Sequence, residues 1–193
     1  MRALVITGPG RAEVQEVAPP VAVPGEVVVD VARAGICGTD VEFFTGEMQY
    51  LHDGNASYPI RIGHEWMGTV TDIGDGVDPS WLGARVTGDT MLGCGTCRRC
   101  RSGYQRVCAS RTELGVRGGR PGALADQVAV PATALHRLPD AVDDAAGALV
   151  DVSAVGVLGG SPGLDGTIAA DAAAPGAPAA PHTITTAEGA LRR

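Results

Sequence analysis

The chain has 193 residues, 45% of them apolar but only seven aromatic, so any core must be built mostly from Val, Ala, Leu and Ile. A net charge of −7 argues against general nucleic-acid or anionic-membrane binding, which need a basic footprint. All 15 basic residues are Arg, and the absence of Lys excludes Lys nucleophiles and Schiff bases.

The opening apolar run is too short for a signal peptide, and no stretch approaches the ~18 apolar residues of a membrane span. With five cysteines and no export signal, a reducing, cytoplasmic setting is expected, where thiols serve metals or chemistry. In chain order, strands are predicted over 2–7, 26–34 and 69–73. Turns are predicted at Gly8-Pro9-Gly10, Pro19-Pro20, Pro24-Gly25 and Gly74-Asp75-Gly76. A turn or two of helix follows Cys37, with Thr39 or Asp40 as N-cap ahead of Val41, Phe43 and Phe44. Residues 91–127 are rich in Cys, Gly and Arg and lack a period. Strands return at 127–130 and 134–138, and a short helix at 143–150. Short strands at this spacing favour a barrel or sandwich over a βαβ layout. The first domain is therefore residues 1–150. Residues 151–193, about half Ala, Gly or Pro with no aromatic, form a low-complexity tail expected to be disordered.

Cys94-x2-Cys97-x2-Cys100-x7-Cys108 gathers four thiols within fifteen residues, with Gly93, Gly95 and Gly103 easing the turns. Four thiolates suit a tetrahedral Zn²⁺ with no open position, hence a structural site. Iron fits the same geometry, as in rubredoxin-like centres. Disulfides are the plain alternative, disfavoured by compartment and by the strain of bridging closely spaced cysteines. Seven arginines fall between Arg98 and Arg120, which balance the negative zinc–thiolate centre, solvate an exposed lobe, or, as a third reading, bind phosphate.

The fifth thiol, Cys37, lies in Gly35-Ile36-Cys37-Gly38-Thr39-Asp40, and Gly63-His64-Glu65 follows. Taken alone, such a Cys and His are more often ordinary core or surface residues. The order of these two motifs, the four-cysteine lobe and Arg137-Leu138-Pro139-Asp140 resembles the zinc-dependent medium-chain alcohol and polyol dehydrogenases over residues 1–150. The resemblance implies a mainly β fold, a GroES-like, partly opened β-barrel with a zinc-binding lobe and short helices. It also implies a second, catalytic zinc held by Cys37 and His64, with Glu65 as ligand or close neighbour. His64 and Glu65 can share one metal only if the backbone bends between them. Thr39 matches the hydroxyl that relays the alcohol proton, with helix capping as its plain alternative. Three protein ligands leave a position that polarises an alcohol or carbonyl oxygen. The implied reaction is NAD(P)-linked oxidation of a small alcohol or polyol, and homo-oligomerisation is left open. His52 is expected in a loop, where it either lines the substrate entrance or plays no part.

Two departures stand out. Where the family has a Glu as a further ligand, this chain has Asp151, one methylene shorter. The segment Gly156-Val157-Leu158-Gly159-Gly160-Ser161-Pro162-Gly163 also lacks the Gly-x-Gly-x-x-Gly spacing of a dinucleotide fold. No NAD(P) site is therefore expected in this chain, as in a product truncated before its cofactor domain. The alternative is a non-catalytic zinc-binding remnant or pseudoenzyme.

Overall fold

A computed structural model of the chain describes residues 1–150. Asp151, the Gly156–Gly163 segment, His182 and the remainder of the tail lie outside the described residues. Every strand pairing among the described residues is antiparallel. The largest sheet has five strands: β3 (Glu26–Ala34), β5 (Trp66–Ile73), β6 (Arg85–Gly88), β9 (Gln127–Pro131) and β10 (Leu135–Arg137), in the order β10-β6-β5-β3-β9. A second sheet holds β1 (Arg2–Gly8) between β2 (Arg11–Glu16) and β4 (Ile60–Arg61). A small ribbon pairs β7 (Met91–Leu92) with β8 (Thr112–Glu113). None of these sheets closes on itself.

The main core is as poor in aromatics as the composition demands. Val27 and Val29 from β3 meet Val70, Val86, Val128 and Val130, and Trp66 is the one aromatic among the buried members of the cluster. β-Branched residues suit this pleated surface, and alternation along β3 puts Val27 and Val29 on one face. Val28 is buried as well, so β3 is covered on both sides. The short helix α4 (Asp144–Ala148) packs close to β5: a Cβ at Gly147 would sit 2.8 Å from Leu138 and 3.3 Å from Met67. The β3–β5 register shifts twice, at Val28/Val29 and at Val31/Arg33. Beside the second shift a Cβ at Gly68 would stand 2.2 Å from the Asp30 carbonyl oxygen, so only glycine lets the strands approach.

A second cluster of Ile6, Phe43, Ile62 and Val116 anchors helix α1 (Gly38–Thr45) to β1 and to the segment after β4. Phe43 is fully buried, and that alone contributes roughly 2–3 kcal/mol. Val41 and Phe44 stay exposed. The helix starts two or three residues earlier than the sequence suggests. Its N-cap is Cys37, not Thr39 or Asp40, because the Asp40 carboxylate reaches back to the Cys37 N–H in a reciprocal box. His52 ends a second short helix, α2 (Gln49–His52), where its Nε2 lies 3.1 Å from the Gly46 carbonyl oxygen. No helix among the described residues is long and apolar enough to cross a membrane.

His136 on β10 meets Asp89 at 2.8 Å, and the carboxylate raises the imidazole pKa above its usual value. A raised folded-state pKa stabilises fully below the unfolded value of about 6.5 and loses that contribution as pH climbs through the folded value. Both partners are substantially exposed, so the effect should stay under ~1 kcal/mol. His136→Gln should therefore lower the urea midpoint slightly at pH 6 and leave it unchanged at pH 8.5. An equal drop at both values would mean that the pair contributes by packing, not charge.

Candidate metal centres

The four lobe cysteines converge. The ligand atoms of Cys94, Cys97, Cys100 and Cys108 all lie within 4.8 Å of one another. Sγ separations are 4.0 Å for Cys94–Cys100, 3.5 Å for Cys97–Cys100 and 3.8 Å for Cys97–Cys108. Co-ligands of a tetrahedral zinc sit about 3.8 Å apart, whereas a disulfide needs ~2.05 Å. Local sequence explains the gathering. Helix α3 (Arg98–Arg101) is a single turn that opens on Cys97, so Cys97 and Cys100 share one side of it, and the Cys97 sulfur accepts from the Cys100 N–H. Gly93 leaves room for the Cys100 sulfur, which a Cβ there would meet at 2.6 Å.

The thiols do not ionise alike. The Thr96 hydroxyl, with the Thr96 and Cys97 N–H groups, pulls Cys94 down to about 5. Burial and neighbouring sulfurs push Cys100 up to about 12. Four crowded sulfurs cannot all carry charge unaided, and a divalent cation is what would let them. The donor set therefore fits zinc.

The second cluster joins Cys37, Asp40 and His64. Cys37 Sγ lies 3.0 Å from His64 Nε2; around a shared zinc the pair would open to about 3.6 Å. The other ring nitrogen, Nδ1, is buried without a hydrogen bond and faces Asp40 Oδ1 at 3.8 Å. Asp40, itself 2% exposed, accepts from the Cys37 N–H at 3.0 Å and from the Gly63 N–H at 3.2 Å. It thus ties together both segments that carry the Cys–His pair. A carboxylate behind a histidine whose far nitrogen points at a thiol is the usual support of a ligating imidazole. Burial pushes the Cys37 thiol up, opposed by the Asp40 N–H and by hydrogen bonds from Thr39, whose hydroxyl lies on the sulfur.

The backbone before His64 takes a turn that only glycine accepts comfortably. Gly63 has φ +101°, and a Cβ there would stand 2.5 Å from the Leu124 nitrogen. The structure thus brings Cys37, Thr39 and His64 together, as the motif order suggests, and adds Asp40. Glu65 stands outside this group: it is buried, with its carboxylate against Gly35, where a Cβ would meet Oε2 at 2.5 Å. Asp40 was legible only as a helix cap. The signal that could have found it is the Cys-x-x-Asp spacing, one helical turn, which returns a carboxylate to the start of the helix.

An open antiparallel framework with a four-thiol lobe and a separate Cys–His pair delimits a class of zinc-binding catalytic domains. Residues 23–140 match the alcohol dehydrogenase GroES-like domain, and the chain belongs to that family. It is 37% identical over 152 residues to L-threonine 3-dehydrogenase of Sinorhizobium medicae, covering 78% of this chain and 43% of that enzyme. The structure of Escherichia coli galactitol-1-phosphate dehydrogenase superimposes with a TM-score of 0.71 at 31% identity, covering 81% of this chain and 43% of that one. An Escherichia coli alcohol dehydrogenase, RspB, complexed with NADH gives a TM-score of 0.68 at 33% identity, covering 78% and 42%. The chain spans less than half the length of these relatives.

Proposed function

We propose that this chain is the catalytic domain of a zinc-dependent, NAD(P)-linked dehydrogenase acting on a small polar alcohol or polyol. The observation that carries the reading is the convergence of Cys37 Sγ and His64 Nε2 at 3.0 Å, with Asp40 behind the ring. The relatives' own substrates, L-threonine and galactitol-1-phosphate, both bear hydroxyl groups, and NADH accompanies a related structure. A reducing, cytoplasmic setting suits the five free thiols.

In this proposal Cys37 and His64 hold the catalytic zinc, and Cys94, Cys97, Cys100 and Cys108 hold a structural one. Bound zinc supplies Lewis acidity that lowers the pKa of a substrate hydroxyl. Asp40 fixes the ring plane and tautomer of His64, keeping Nε2 as the ligating nitrogen. The Thr39 hydroxyl, beside Cys37, takes the proton released by the substrate and passes it on. Glu65 acts as a neighbouring carboxylate, and Asp151 is the candidate for a further ligand.

Metal content is the direct test. Wild-type chain should carry two zinc ions by elemental analysis, and Cys37→Ser should carry one. A single zinc in both would remove the catalytic site from the proposal, and the dehydrogenase reading with it.

A further inference from the structure

Arg61 is the unusual arginine of this chain. Its backbone is fixed on both sides, paired with Val5 of β1 and accepting from the Gly122 N–H through its carbonyl oxygen. Its guanidinium is partly buried, and burial lowers its pKa, yet it has no hydrogen bond or ion pair among the described residues. Its neighbours are committed elsewhere. Arg120 pairs with Glu26 at 2.7 Å and donates to the Ala129 carbonyl oxygen, while Arg117 donates to Asn55 Oδ1 and lies over the Tyr50 ring. A half-desolvated cation without a counter-charge is costly unless a ligand supplies one.

The surroundings suit such a ligand. Arg61 lines a cleft of about 380 Å³ together with Asn55, Ser57, Gly118, Gly119 and Arg120. No Asp or Glu lines it, in a chain whose net charge is −7. Gly118 and Gly119 turn the wall with φ of +74° and +71°. The Gly118 N–H is taken by the Asn55 carbonyl oxygen, whereas the N–H groups of Gly119 and Arg120 and the Ser57 hydroxyl have no partner among the described residues. Successive free N–H groups on a glycine turn form an anion-binding concavity.

We infer that this cleft is a binding site for phosphate or a phosphomonoester, held by the Arg61 guanidinium, the Gly119 and Arg120 N–H groups and the Ser57 hydroxyl. Four donors from two segments of the chain match the several oxygens of a phosphoryl group better than the two of a carboxylate. The cleft uses none of Cys37, Asp40 or His64, so it stands or falls independently of the dehydrogenase reading.

Calorimetric titration of the zinc-loaded full chain with inorganic phosphate, glycerol 1-phosphate and glycerol tests the site. Phosphate or its ester should bind with Kd on the order of 1 mM or tighter, and glycerol should not bind. Tighter binding of the ester would identify a phosphorylated metabolite, and equal binding would identify free phosphate. Arg61→Gln should weaken binding at least ~10-fold with unchanged zinc content and circular dichroism, and Arg61→Lys should restore part of it. No saturable binding of either phosphate species, or wild-type affinity in a folded Arg61→Gln chain, would overturn the assignment.

Discussion

Cys108→Ser should release the structural zinc proposed for the lobe and open residues 91–113 to trypsin while the five-stranded sheet stays folded. The lobe has almost nothing else to hold it. No residue from 93 to 107 is buried, and its only strand pairing is the two-residue ribbon of β7 and β8. Within the lobe only Leu92, Cys108 and Glu113 are buried; Cys108 is 1% exposed, and Ser replaces it with little change of volume. A structural zinc contributes on the order of 10 kcal/mol, far more than so short a ribbon can. Trypsin has targets at Arg98, Arg99, Arg101 and Arg106, all exposed and held in the native fold by two short turns. Zinc content and the rate of cleavage in this segment are the two readouts. Unchanged resistance in a zinc-depleted variant would show that packing, not metal, maintains the lobe.

Asp40→Ala should be the most damaging change outside the ligands of the proposed catalytic site. It leaves the part-buried N–H of Cys37 and the buried N–H of Gly63 without their acceptor. At ~1–3 kcal/mol each, the loss is about 2–6 kcal/mol of stability. It also removes the carboxylate facing His64 Nδ1, and losing such support lowers metal affinity by roughly 10–100-fold. Asp40→Asn, which keeps one oxygen, should fall between. Urea unfolding reads the first effect and competition with a chelator the second. A variant that loses stability but keeps its zinc affinity would reduce Asp40 to a purely structural tie.

Much of this organisation could be read from the chain because its signals are local. β3 was expected over 26–34 and spans Glu26–Ala34, since Val-Val-Val-Asp-Val in a turn-bounded run is unambiguous strand. The four-cysteine lobe was visible from spacing alone, whereas Cys37 and His64 stood out only through the family resemblance that the order of the motifs carries. β2 was missed because it is an exposed strand: Arg11, Ala12, Glu13 and Val14 all face solvent, so no apolar alternation marks it. The start of β5 was placed too late, at residue 69 instead of Trp66, because Gly68 breaks the pattern there; the structure needs that glycine for close approach to Asp30. Asp40 escaped notice as a site residue for a different reason. The Cys-x-x-Asp spacing marks only its bond to Cys37; its contacts with Gly63 and His64, more than twenty residues away, leave no mark in the local pattern.

The position of β9 has a consequence for biosynthesis. β3 and β5 can pair once residue 73 has been made, but the other edge of β3 waits for residues 127–131. Until those emerge, the growing polypeptide presents an uncovered row of backbone donors and acceptors flanked by Val27, Val28 and Val29. A nascent chain stalled in that interval is open to strand exchange with its neighbours, so chaperone demand should be greatest while the lobe is being made.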